Sequence, residues 1–298
     1  MFDTLLIHPI INVLLVIYQL VHFLHVPWAL GFSIILLTVV IRFLLYPLTA
    51  SQLKTSRKMQ TLAPHLSKLK ERHKNDAKRM QQETMRLYQN HGINPAAGCL
   101  PVLLQIPLLW ALYAVLQKVV GLKPAETLDA INKIAYVEQL RLREIWDTTF
   151  FGLPLGQNPS QLLNIYGVLI FLVPITTGVL QFIQAKMMFT AKPADDKEKN
   201  LPAGRQEKGD FASAFQAQST YIFPLMIGFF SYTFPLGLSL YWNTYTVFGI
   251  IQQYKMQGWG GLKKPTFLGQ KQIAEPVNKK TSLQARSDET RQAGKRKK

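Results

Sequence analysis

The chain has 298 residues, 48% of them hydrophobic, and carries 34 Lys and Arg against 17 Asp and Glu, a net charge of +17. Its single cysteine, Cys99, excludes an intrachain disulfide and a cysteine-built metal centre. The mean hydropathy of +0.07 describes no actual stretch, because apolar residues and charges are bunched apart, the pattern of a multi-pass membrane protein.

The start of the chain has neither the basic n-region and small-residue cleavage site of a signal peptide nor an arginine-rich presequence. The expectation is an uncleaved bacterial protein. Residues 1–27 carry no lysine or arginine, and His8, Asn12, Gln19 and His22 share one polar stripe on a helical wheel. Two readings stand at this point. One is an external amphipathic helix lying in the membrane interface; the other is a sixth span.

Residues 28–50 form the first expected transmembrane helix, since roughly 20 mostly apolar residues cross a bilayer. It holds one charge, Arg42. An arginine at that depth costs about 2.5–3.5 kcal/mol on insertion scales. It therefore either faces a wet, protein-lined cavity or snorkels about two turns to the cytoplasmic interface. Residues 51–94 are strongly basic, with leucines and methionines at heptad-like spacing and a turn and N-cap signal at Asn75-Asp76. They read as a cytoplasmic hairpin of two antiparallel helices, its basic face solvated or set against anionic headgroups or rRNA.

Residues 95–118 are the second expected span, with Pro101, Pro107 and a lone Gln105 suited to a helix-to-helix hydrogen bond. The 119–161 loop is the least cationic of the long connections and is expected outside, with a short helix over about 125–145 and a turn at 153–160. A third span covers 162–186, and mixed charge with Pro and Gly marks 187–217 as a disordered cytoplasmic loop. Pro235 divides the last apolar run into spans at 218–235 and 236–256, both short for a bilayer of about 30 Å. The 257–298 tail, with eleven basic and three acidic residues, is expected to be disordered and cytoplasmic, held by anionic lipid or by ribosomal RNA.

No span contains a carboxylate, which removes aspartyl proteolysis and carboxylate proton relays. Gly31-Phe32-Ser33 lacks a histidine in any later span, and no HExxH or phosphate-loop pattern occurs. His22 and His25 have no third ligand. No enzyme, metal or cofactor is called for. What remains within the spans is Arg42 with Thr38, Gln181, Tyr241, Trp242 and Asn243, a polar surface for passage or binding. A small-solute transporter with an intramembrane anion site at Arg42 is the alternative; it predicts inverted repeats, and the second half does not echo the first.

Three stretches resemble the YidC family of membrane-protein insertases: GFSIILLTVVIRFLLYPLTASQ at 31–52, NPAAGCLPVLLQIPLLWALY at 94–113 and FPLGLSLYWNTYTVFGIIQQ at 234–253. The resemblance runs over about residues 3–256. It implies an all-α bundle of five transmembrane helices with a cytoplasmic helical hairpin and an N-terminal interfacial helix. It also implies a bacterial inner-membrane insertase and chaperone with a cytoplasmic C-terminus. Hydrophobic segments of nascent membrane proteins would pass through a hydrophilic groove lined by Arg42, Thr38, Gln181, Tyr241 and Trp242. The ribosome, anionic lipid and a Sec translocon are the implied partners. Departures from the resemblance are expected in the large periplasmic domain that some members carry, in a longer external loop at 123–147, and at Trp242, where many members have a second tyrosine.

Overall fold

The structure, a computed structural model, describes residues 3–73, 76–94, 96–120, 124–188 and 218–262. The expected loop at 187–217 and tail at 257–298 lie almost wholly outside them, as does Asn75. Helices dominate, and one two-residue β-hairpin is the only sheet among the described residues.

A π-helical turn at Asp3–Ile7 leads into α1 (His8–Phe23). α1 buries Ile11, Leu14, Leu15 and Tyr18 and points Val13, Val16 and Leu20 outward, an apolar helix on both faces. Two residues of its polar stripe bond the 119–161 segment. The Asn12 amide donates to the Ile134 carbonyl at 3.1 Å and accepts from the Tyr136 N–H at 2.8 Å, while Gln19 donates to the Gln139 carbonyl at 2.8 Å.

The Arg42 stretch is not one helix. α2 (Ala29–Leu44) and α3 (Tyr46–Thr61) meet at a 61° bend. Pro47 explains it: its ring has no N–H to donate and crowds the carbonyl of the preceding turn. Residues 46–50 of the expected span thus lie past the bend, in the first turns of α3. The helical stretch breaks once more, at Leu62 ahead of Pro64, so α3, α4 (Ala63–Arg72) and α5 (Ala77–Asn90) stand where two helices were expected. α4 and α5 pack on each other. Asp76 caps α5 by accepting from the Arg79 N–H at 2.9 Å.

α6 (Ala96–Val120) runs unbroken past Pro101 and Pro107. The expected helix at 125–145 is shorter, α7 (Pro124–Asn132). Asn132 ends it by bonding both the N–H and the carbonyl of Leu142, which folds the chain back on itself. β1 (Thr149–Phe150) and β2 (Leu153–Pro154) follow. A capping box between Asn158 and Gln161 starts α8 (Pro159–Tyr166), and a 3-10 segment at Gly167–Phe171 joins it to α9 (Leu172–Met188). The last apolar run splits at Phe234-Pro235, giving α10 (Phe223–Thr233) and α11 (Leu236–Gln257). α11, at 22 residues, is about 33 Å long, so it is not the short element expected of 236–256. Gly258 ends it at φ +70°, a left-handed turn that costs glycine least.

Among the described residues two stretches can cross a membrane by length and composition, Asp3–Phe23 and Pro159–Met188, and a third if bent α2 and α3 form one span. The core is shared by α1, α2, α6 and α11, with Leu30, Ile34, Ala111, Val115 and Leu238 at its centre. Outside it, Leu172, Ile175, Val179, Leu225 and Phe229 are exposed, an apolar exterior that only a lipid solvent tolerates in such number.

Candidate functional site along helix α11

α11 is the common wall of the polar interior, with α2, α9 and α6 packed against it. It runs alongside α2–α3 in the same direction: Arg42 meets Tyr245, Gln252 donates to the Thr49 hydroxyl at 2.7 Å, and Gln257 bonds the Leu53 carbonyl.

Arg42 is 3% exposed, so it does not snorkel to an interface. Nor does it reach into an open cavity. Its Nε–H donates to the Tyr245 carbonyl at 3.0 Å, a second guanidinium N–H donates to the same oxygen, and the guanidinium carbon lies 3.4 Å from the centroid of the Tyr245 ring. Where a wet, protein-lined cavity or snorkelling was expected, the guanidinium is latched onto α11. The latch is possible because Gly249, one turn on, has no side chain. A Cβ there would strike both the Arg42 guanidinium and the Gln184 amide nitrogen. α2, α6, α9, α10 and α11 contain no Asp or Glu. Among the described residues the charge is thus met by a carbonyl dipole and an aromatic face, without a counter-charge.

The other expected residues divide into two groups around this latch. Gln181 of α9 accepts from the Trp242 indole N–H and from the Thr246 hydroxyl, each at 3.3 Å. Tyr241 is 1% exposed and accepts from Gln105 of α6 at 2.9 Å, the helix-to-helix bond anticipated for that glutamine. The rings of Tyr241 and Tyr245, 5.8 Å apart, connect this group to the arginine. Thr38, buried one turn before Arg42 on the same face of α2, donates to the Ile34 carbonyl at 2.6 Å and makes no bond to the other four. Sequence reasoning missed Tyr245, Gly249 and Gln184. Tyr245 and Gly249 follow Tyr241 at helical spacing, so their shared face was readable; that it meets Arg42 was not.

A family model described as the 60Kd inner membrane protein matches residues 20–260. The chain is 33% identical over 224 residues to a protein of Fusobacterium nucleatum named membrane protein insertase YidC, covering 75% of this chain and 84% of that one. It is 32% identical to membrane protein insertase MisCA of Bacillus subtilis, over 76% of this chain and 70% of the other. Against ALBINO3-like protein 1 of Arabidopsis thaliana identity is 33%, over 90% of this chain but 49% of the longer plant protein. A crystal structure described as an active YidC insertase with its first transmembrane domain resolved covers 80% of this chain and 45% of that one, at 24% identity and a TM-score of 0.48.

Proposed function

This chain belongs to the 60Kd inner membrane protein family, that of the YidC insertases, and from that premise we propose that it moves hydrophobic segments of newly made membrane proteins into the lipid bilayer. The proposed setting is a bacterial inner membrane, with five spans at 28–50, 95–118, 162–186, 218–235 and 236–256. Residues 1–27 lie on the outer face, the basic 51–94 hairpin and the C-terminus lie in the cytoplasm, and 119–161 is external.

The observation that carries the mechanism is Arg42, a buried cation whose partners are a carbonyl and a ring. Burying an ion costs several kcal/mol unless a counter-charge accompanies it. Here the counter-charge arrives with the client. An acidic or polar tail entering between the helices draws the guanidinium off Tyr245, and Thr38, Gln181, Tyr241 and Trp242 line the path that opens. The client's apolar segment then leaves sideways into lipid, downhill by about 0.3–0.6 kcal/mol for each central Leu, Ile, Phe or Val. No nucleotide is required. The hairpin receives the chain from the ribosome, the basic tail holds the ribosome or anionic lipid nearby, and a Sec translocon is a further partner.

The test is insertion of ribosome-bound single-span clients into liposomes holding the purified protein. Arg42→Ala should cut insertion of clients with acidic external tails about tenfold or more. Ending the chain at Leu262 should weaken ribosome binding, and more steeply as salt rises. Undiminished insertion by Arg42→Ala removes the arginine from the mechanism; ribosome binding that ignores both truncation and salt removes the tail from it.

A further inference from the structure

The α11 face that meets α9 carries Trp242, Thr246, Gly249 and Gln253, spaced four, three and four residues apart, hence one continuous stripe. Its upper part is satisfied, since Trp242 and Thr246 both end on Gln181. Below that, acceptors run out. The notch at Gly249 holds two donors, an Arg42 guanidinium nitrogen and the Gln184 amide nitrogen. One turn further, Gln253 is 1% exposed and its Nε2 is buried without any hydrogen-bond partner. Gln253 follows Gly249 by one turn on the same stripe, and helical side chains lean back over the turn before their own Cα.

Leaving an amide N–H buried and unmade is costly, commonly a full desolvation penalty. A leucine would fill the same space without that penalty. Here the unmade bond lies one turn along the stripe from a cation and a second amide donor, and the helices that form the notch contain no Asp or Glu. Two donors fill the notch and a third, unpartnered, lies one turn along the same stripe; together they suit a group that only accepts, and a carboxylate is the acceptor-only group a polypeptide carries.

We infer that Gln184 and Gln253 complete, with Arg42, a receptor for a single carboxylate of the entering chain, and that these two glutamines set the preference for acidic over neutral tails. The inference rests on the insertase reading above. Arg42 supplies attraction; the glutamines, being neutral donors, supply the geometry that an ammonium or a bare apolar tail cannot use.

The full-length protein in zwitterionic liposomes is given single-span clients whose tails differ at one position, Asp or Asn. Gln184→Leu combined with Gln253→Leu should lower the Asp-to-Asn insertion ratio about tenfold, the loss falling mainly on Asp-tailed clients. Gln253→Leu alone should melt no lower than wild type, because it deletes an unpartnered buried donor. Gln253→Glu, which sets a carboxylate one turn from the notch, should abolish the Asp preference. An unchanged ratio in the double variant overturns the inference, and if Arg42→Ala still impairs insertion the insertase reading survives it. Failure of the wild type to insert either client overturns that reading instead. A preference that depends on the glutamines only when anionic lipid is added assigns the notch to a lipid phosphate, and that too overturns the inference.

Discussion

At the scale of single residues, the arginine and the tyrosine that holds it are not equal partners. Arg42 needs a planar fork to bond the Tyr245 carbonyl twice and a flat face to stack on the ring. Lysine has neither. Tyr245 contributes a carbonyl, which any residue supplies, and a ring, which phenylalanine supplies. Tyr245→Phe should therefore melt within about a degree or two of wild type in detergent, whereas Tyr245→Leu should lose the ring's share, about 1–2 kcal/mol where water is excluded. Equal melting of both variants would show that the stacking contributes nothing. The residue scale is also where the sequence says most. A lone charge in an apolar helix marks Arg42, and a lone amide in another marks Gln105. Their partners stay hidden because Arg42 and Tyr245 are separated by 203 residues, and periodicity reports a face without saying what it meets.

Helices are positioned here by small residues and hydroxyls rather than by charge. α9 and α10 cross where Gly178 faces Gly228: a Cβ on Gly228 would lie 3.2 Å from the Pro174 carbonyl and 3.4 Å from the Gly178 Cα. Beside this crossing Thr177, Ser231 and Ser239 form a buried hydroxyl chain with steps of 3.1 and 2.9 Å, tying α9, α10 and α11 together. In lipid, where apolar surface gives little net drive to associate, such close approach and such bonds supply the helix-to-helix attraction. Gly228→Ala must push backbone atoms by a few tenths of an ångström. Gly228→Val should force the helices apart and destabilise by about 1–3 kcal/mol, read as a lower melting temperature of the purified protein. If valine melts with wild type, the close crossing is not what holds α9 to α10. Element ends were partly legible: Pro235 marks the break before α11, and Asp76 the start of α5. The bend at Pro47 was not, because proline is tolerated inside membrane helices at Pro107 and bends the chain at Pro47, and neighbours decide which.

For the molecule as a whole, the open question of topology turns on α1. Its length and composition fit a span. Its polar groups do not, because Asn12 and Gln19 are bonded to backbone at Ile134, Tyr136 and Gln139. Those two side chains are seven residues apart, about 10.5 Å along the helix, so the 134–139 segment follows α1 for two turns. The loop that holds it carries Glu138 and Arg141, both largely exposed and paired only with each other. If α1 crossed the bilayer, that loop and its charges would be drawn into hydrocarbon at several kcal/mol per charge. Trp146 reinforces the clamp, packing edge-on to Tyr18 at 5.2 Å while its indole N–H donates to the Val119 carbonyl at 3.2 Å. We therefore propose that α1 and the loop lie together at one surface, with both ends of α1 in the same compartment. In a Cys99→Ser background, Asp3→Cys and His22→Cys should each react with a membrane-impermeant maleimide added outside intact cells. Labelling of one position from outside and of the other only after the cytoplasm is opened would make α1 a sixth span. That outcome would move the N-terminus inside and leave the orientation of α2, and with it the depth of Arg42, unchanged.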